Sequence, residues 1–228
     1  MIFIAEIGLN HNGNFGLFHA LIREAAEAGA DIAKFQLGWR SGEGEMNDIT
    51  PEVLTNIVKI CDFHEIEPMF SIFTPKAYEI AKPMNFKRYK IASRTVTDNP
   101  KLVEAILNEG KETFISLGFW DKPELPFRAR DNLRYLWCKS LYPTPPWALR
   151  ELPKNFIGTP YIGYSDHSVG IESAILSITR GARVIEKHFT LDKSDVTIRD
   201  HALSATPAEF AQMVKLGRNL VRLLDLEV

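Results

Sequence analysis

Two histidines carry the first chemical signal in this chain: His167 in Tyr164-Ser-Asp-His167 and His188 in Ile185-Glu-Lys-His-Phe-Thr190. Each closes a β-rich run, and a helical pattern separates them. In neighbouring parallel strands both imidazoles would open onto one rim. Such a pair can hold a divalent metal, and a metal can polarise a carbonyl. Two imidazoles do not complete a structural zinc site. They suit a Mn²⁺ or Mg²⁺ ion that keeps water and substrate among its ligands. Two rim imidazoles with ordinary hydrogen-bond partners would read the same way. His11 is a candidate third ligand, although its loop Asn10-His-Asn-Gly13 suits local turn bonding. His19 and His64 lie on helix faces with no assigned role. His201, after Asp200, belongs either to a segment closing over the site or to a solvated loop.

Two lysines give the second signal. Lys34 in Ile32-Ala-Lys-Phe-Gln36 and Lys90 in Tyr89-Lys-Ile-Ala-Ser93 stand inside β-rich runs. A buried lysine needs an anion. With Thr74, Ser93, Ser116 and Ser165 the lysines make a cradle for a phosphate or carboxylate. The competing reading turns each lysine outward to snorkel between helices. Further polar residues finish other runs: Glu6, Gln36, Ser71, Ser140, Tyr142, Asp166 and Glu186. Lys34 and Gln36, Ser165 and His167, and Glu186 and His188 each have period-two spacing, so each pair shares a strand face. The stiff run Tyr142-Pro-Thr-Pro-Pro146 either holds Tyr142 over the site or is a simple loop.

The elements that would position these residues alternate regularly. Eight β-rich runs are predicted: Ile2–Ile7, Asp31–Gln36, Glu67–Phe73, Tyr89–Ser93, Thr113–Leu117, Arg134–Ser140, Tyr161–Tyr164 and Arg183–Phe189. Several are apolar on both faces, as strands of a buried parallel sheet are. Between them stand helical patterns over Leu17–Ala28, Pro51–Phe63 and Lys101–Asn108, the last preceded by Asn99-Pro100 as cap and first helical position. A capping box, Thr206-Pro-Ala-Glu209, opens a final helix over Phe210–Leu224. Trp120–Arg130 and Thr144–Asn155 are Pro-rich, so helices there are short or missing. Eight units without a linker predict one (β/α)₈ TIM barrel over 1–228, with its chemistry at the carboxyl ends of the strands. The rival is an open doubly wound sheet, but no Gly-x-Gly-x-x-Gly follows the first run.

Composition narrows the class. The chain has 228 residues, is 45% apolar and 25% charged, and carries a formal net charge of −2. That balance gives no nucleic-acid footprint and no attraction to an anionic membrane. No apolar run reaches the length of a membrane span. Two cysteines, Cys61 and Cys138, without a paired spacing fit free thiols in a reducing cytoplasm.

The chain resembles the sialic acid synthases, including their pseudaminic and legionaminic acid relatives. Six segments in the family's order carry the resemblance: Ala5–Gly13, Ala26–Gln36, Tyr89–Ser93, Leu141–Pro146, Tyr164–His167 and Gly181–Thr190. The resemblance implies a barrel that condenses phosphoenolpyruvate with the aldehyde of an N-acyl amino sugar, forming a nine-carbon 2-keto acid. It implies His167 and His188 as ligands of Mn²⁺ or Mg²⁺. Lys34, Thr74, Lys90, Ser93, Ser116 and Ser165 would bind phosphoenolpyruvate. Glu6, Gln36 and Tyr142 would face the sugar, with Ser140 where the family often has asparagine. Asp200 would supply an acidic group from the last loop. Glu6, Lys90 and Asp200 are the candidate catalytic residues, and a homodimer is the expected assembly.

Three departures stand against this background. Arg94 and Thr95 replace a glycine and a glutamate usual after the strand-four serine. Val196-Thr-Ile-Arg-Asp200 replaces the usual loop before the acidic residue. Family members also continue into a small antifreeze-like domain, whereas this sequence ends at Val228. A non-catalytic barrel that keeps the anion and metal site is therefore the alternative. A third reading is an aldolase-type barrel using Lys90 as a Schiff base, which would require a strongly depressed lysine pKa.

Overall fold

The computed structural model describes residues 1–224. Eight strands pair in sequence order, all parallel, and β1 closes on β8. They are β1 (Ile2–Gly8), β2 (Ile32–Leu37), β3 (Glu67–Ile72), β4 (Arg88–Ile91), β5 (Glu112–Ser116), β6 (Leu133–Cys138), β7 (Tyr161–Asp166) and β8 (Val184–His188). The expected (β/α)₈ barrel is therefore the observed architecture, with strand ends shifted by a residue or two.

The outer layer holds α1 (Phe18–Glu27), α2 (Pro51–Phe63), α3 (Pro75–Ala81), α4 (Ser93–Asp98), α5 (Pro100–Leu107), α6 (Glu172–Thr179), α7 (Asp200–Leu203) and α8 (Pro207–Leu223). Local chemistry starts several of them. Thr50 and Asn99 cap α2 and α5 ahead of a first-turn proline, and Thr206 with Glu209 forms the predicted capping box of α8. The Pro-rich stretch after β6 yields a 3₁₀ helix over Pro146–Glu151, and β5 is followed by no helix. The prolines fit that outcome, since they remove backbone donors a long helix would need.

Period-two alternation sorts the strand residues into layers. Outward residues such as Phe3, Phe35, Phe70 and Tyr164 join the helices in the main core. Inside the barrel, Ile4, Ile32, Met69, Phe114, Leu136 and Val184 form a small apolar plug. Two residues further along the same strands stand Glu6, Lys34, Ser71, Ser116, Cys138 and Glu186, which line the cavity above it. A hydrophobic floor thus excludes water beneath a polar tier.

Strand β7 contributes Gly163 at the level of the plug, paired with Val184. A Cβ there would lie 2.0 Å from the Val184 carbonyl oxygen. The obstacle is backbone, so it cannot swing aside. Gly163→Ala is expected to force β7 and β8 apart and cost about 1–3 kcal/mol, as overpacking does. A urea midpoint unchanged from the parent would show that the barrel yields there freely.

Candidate active site

Twelve of the thirteen residues singled out from sequence meet in one cavity of about 350 Å³ at the carboxyl ends of the strands. They are Glu6, Lys34, Gln36, Lys90, Ser93, Ser116, Ser140, Tyr142, Ser165, His167, His188 and Asp200. Thr74 is the exception. Its hydroxyl accepts the Ala77 N–H at 3.1 Å and caps α3, outside the cavity lining. The sequence read it as the end of a strand. Thr74-Pro75, a cap followed by proline, was the overlooked helix signal.

At the bottom of the cavity four buried ionisable groups from four strands interlock. Lys34 Nζ lies 2.5 Å from Glu6 Oε2 and 3.5 Å from Glu186 Oε2. Lys90 Nζ lies 3.7 Å from Glu186 Oε1. Both lysines point inward, against the snorkelling alternative. Lys34 donates to Ser71 Oγ at 2.9 Å, and Lys90 donates to Ser116 Oγ at 2.7 Å. Ser165 donates to Glu186 Oε1 at 2.7 Å, and Gln36 Nε2 donates to Glu6 Oε1 at 2.8 Å.

The two carboxylates are not equivalent. Burial would raise Glu186, but Lys34 and Lys90 outweigh it and hold the carboxyl down at about 2. Burial raises Glu6 above the usual carboxylate range; Lys34 opposes and the nearby Glu186 charge adds to the rise. Glu186 is thus the fixed anion and Glu6 the group that can carry a proton. The lysines also diverge. Burial lowers Lys90 despite Glu186. Burial pulls on Lys34 too, but Glu186 and Glu6 together hold it above its ordinary value. Pairs of like groups driven apart in this way are the usual basis of separate acid and base roles.

Above this tier stand the histidines, with ring centroids 5.4 Å apart. His167 Nδ1 lies 3.1 Å from the Lys139 carbonyl. A carbonyl only accepts, so this bond places the hydrogen on Nδ1 and leaves the Nε2 lone pair free. His188 Nδ1 is buried without a hydrogen-bond partner and lies 4.0 Å from Asp200 Oδ2. Burial lowers the His188 pKa, ahead of the opposing pull of Asp200. A neutral imidazole with an unused nitrogen is what a metal ligand requires. Tyr142 packs on His167 at 4.3 Å between centroids. Among the described residues no group of three or more His, Cys, Asp or Glu could by itself hold a metal. The free Nε2 of His167 and the unpartnered Nδ1 of His188 would suit an ion that takes its other ligands from water and substrate.

His11 is not part of that set. It is fully buried beside Phe15 and Phe18, bonded through Nε2 to Asn47 Oδ1 and through Nδ1 to the Gly13 N–H. His201 is buried as well, joining Thr190 and Asn12. It fastens the loop after β8 to the loop after β1, so the solvated-loop alternative falls away. Trp39, Phe119, Cys138 and Arg199 also line the cavity without having been marked as candidates. Ser71 and Glu186 were marked as run ends but assigned no role.

Similarity to known proteins agrees with this geometry. Residues 44–227 match the NeuB family. An uncharacterized protein of Methanocaldococcus jannaschii, MJ1065, is 36% identical over 97% of this chain and 70% of its own length. The N-acetylneuraminate-9-phosphate synthase of Mus musculus is 29% identical over 97% of this chain and 70% of its own. Among solved structures, the N-acetylneuraminic acid synthetase of Leptospira borgpetersenii superposes with a TM-score of 0.81 at 27% identity, covering 98% of this chain and 84% of that one. The family match across most of the chain makes this chain a member of the NeuB family.

Proposed function

We propose that this chain condenses phosphoenolpyruvate with the open-chain aldehyde of an N-acyl amino sugar, giving a nine-carbon 2-keto acid and inorganic phosphate. The observation that carries the reading is the buried tier of Lys34, Lys90, Glu6 and Glu186 directly beneath the two histidines. Phosphoenolpyruvate brings a phosphate and a carboxylate. Lys34, Lys90 and the hydroxyls of Ser93, Ser116 and Ser165 offer the charge and donors to hold both.

Atoms balance with one water. Carbon C3 of phosphoenolpyruvate bonds to the aldehyde carbon, and the aldehyde oxygen gains a proton. Glu6, whose pKa burial raises, is the proposed donor. Water then adds at C2 and gives one proton to the Glu6 carboxylate; the C2–O bond to phosphate breaks as the remaining C2 hydroxyl proton passes to the departing phosphate, leaving the ketone. Gln36 and Tyr142 orient the sugar, and Asp200 faces it from the last loop. A Mn²⁺ or Mg²⁺ ion held by His167 and His188 would polarise the aldehyde carbonyl. Two free, buried thiols suit a reducing compartment, and we place the reaction in the cytoplasm. Among the described residues no helix is long and apolar enough to cross a membrane.

Calorimetric titration of phosphoenolpyruvate, without and with Mn²⁺, tests the reading. The expected result is binding that the metal tightens. Absence of binding in both states would overturn it. Lys90→Ala is expected to weaken that binding by about 1–3 kcal/mol, the value of a charge-assisted hydrogen bond. Equal affinity would place Lys90 outside the phosphoenolpyruvate site. The lowered Lys90 pKa gives the Schiff-base reading one observation of its own. Borohydride with a keto substrate would trap such an enzyme covalently, and the condensation reading expects no adduct.

A further inference from the structure

The cavity changes character with depth. Its lysines are almost fully buried, whereas Arg94 and Arg199 stand exposed at the mouth. The Arg94 guanidinium lies over two rings, 5.7 Å from the Trp39 centroid and 5.4 Å from that of Phe119. Among the described residues it has no carboxylate partner. Arg199 crosses the Tyr142 ring at 4.7 Å, and its nearest carboxylate is Asp200 at 3.7 Å. The mouth therefore carries two guanidinium groups against one carboxylate.

From this layout we propose that the acceptor is an anionic sugar, its phosphate or carboxylate held at the cavity mouth by Arg94 and Arg199. The inference rests on the condensation reading and adds the charge class of the second substrate. Three physical points carry it. A guanidinium set against aromatic faces keeps a defined plane and retains in-plane donors for a ligand, and that fork matches phosphate or carboxylate oxygens. Phosphoenolpyruvate, held by the deep lysines, occupies the floor and leaves the rim to the sugar entering after it. The hydroxyls of a neutral sugar would make no use of two cations, whereas a terminal anion on an extended open chain reaches outward to them.

The test is calorimetry on the full chain saturated with phosphoenolpyruvate, using N-acetylmannosamine, its 6-phosphate and the corresponding hexuronate. At least one anionic probe is expected to bind about tenfold or more tightly than the neutral sugar, a difference set by charge-assisted bonds. Arg94→Gln should remove most of that preference and leave phosphoenolpyruvate affinity unchanged. Arg199→Gln should remove part of it. Which anion gains identifies the group as phosphate or carboxylate. Equal binding of neutral and anionic sugars overturns the proposal, as does a preference that survives both substitutions. Loss of phosphoenolpyruvate affinity in Arg94→Gln also overturns it, because the arginine then serves the first substrate. Failure of the parent chain to bind phosphoenolpyruvate is a separate result: it removes the condensation reading and the acceptor proposal together.

Discussion

Replacing Lys187 with methionine is expected to cost roughly 3–5 kcal/mol of stability at neutral pH, the usual penalty for stranding one member of a buried ion pair. Lys187 and Asp166 are both fully buried, 3.1 Å apart, on the helix-facing side of β7 and β8. The carboxylate also accepts from the Ser168 N–H at 2.8 Å, the Ser168 hydroxyl at 2.7 Å, Tyr164 OH at 2.9 Å and Ser173 Oγ at 2.9 Å. Burial would raise the Asp166 pKa, but Lys187 and these donors hold it below the ordinary carboxylate range. Methionine fills most of the lysine's volume and removes the ammonium together with its bonds to Asp166 and the Ser168 carbonyl. Asp166 must then stay ionised alone or take up a proton.

Two features separate this expectation from simple loss of packing. The cost should shrink as pH falls, because Asp166 in the variant can neutralise itself. Adding Asp166→Asn should recover part of the loss, since neither partner is then a lone charge. Urea denaturation of the two single variants and the double variant measures both. A loss below about 1 kcal/mol for the lysine substitution alone would mean that the hydrogen bonds, and not the pair, satisfy Asp166. The pair stands one residue away from each of His167 and His188, so its rigidity also fixes the strand ends that carry them.

Most of the cavity was readable because strands alternate strictly. Period two puts Lys34 with Gln36 and Glu186 with His188 on one face, and barrel closure turns that face inward. What alternation cannot supply is partners across the barrel. Lys34 on β2 reaches Glu186 on β8 over the intervening β1, a contact that exists only once the ring closes. Lys187 shows the converse. It falls between two inward residues, so it faces the helices, and only the pairing of Asp166 with Lys187 explains a charge there. The rim was least readable. Trp39, Phe119 and Arg199 come from loops, which have no periodicity, and they become site residues through the course of the chain alone. Thr74 and Ser93 mark the remaining misreading: both seemed to end strands, and each instead stands at the start of a helix.

Acid is expected to destabilise the fold through His11. Its Nε2 bonds Asn47 Oδ1 at 3.1 Å, while Nδ1 accepts the Gly13 N–H at 3.1 Å. An Nδ1 that accepts has no room for a proton. Burial accordingly lowers the pKa to about 4, against the weaker raising effect of Asn47. The unfolded chain has an ordinary histidine near 6.5. Above that value both states are neutral and the full stability is present. As pH falls the unfolded state gains a proton that the folded state refuses, so stability drops until the folded histidine also titrates near pH 4. At about 1.4 kcal/mol per pH unit the window is worth about 3 kcal/mol. Glu6, raised by burial, slopes the opposite way over part of that window, whereas Asp166 and Glu186, held low, lose their contributions only at stronger acid. His11→Gln isolates the histidine: the pH dependence of its urea midpoint between 6.5 and 4 should be flatter than the parent's. Parallel profiles would assign the acid sensitivity to other groups. Asn47 also donates to the Gln36 and Trp39 carbonyls at 2.9 Å each, so the segment carrying Trp39 is held apart from the titrating Nδ1. Protonation at Nδ1 expels the Gly13 N–H and leaves the Nε2–H bond to Asn47 in place, so the acid effect falls on the turn Asn10–Gly13.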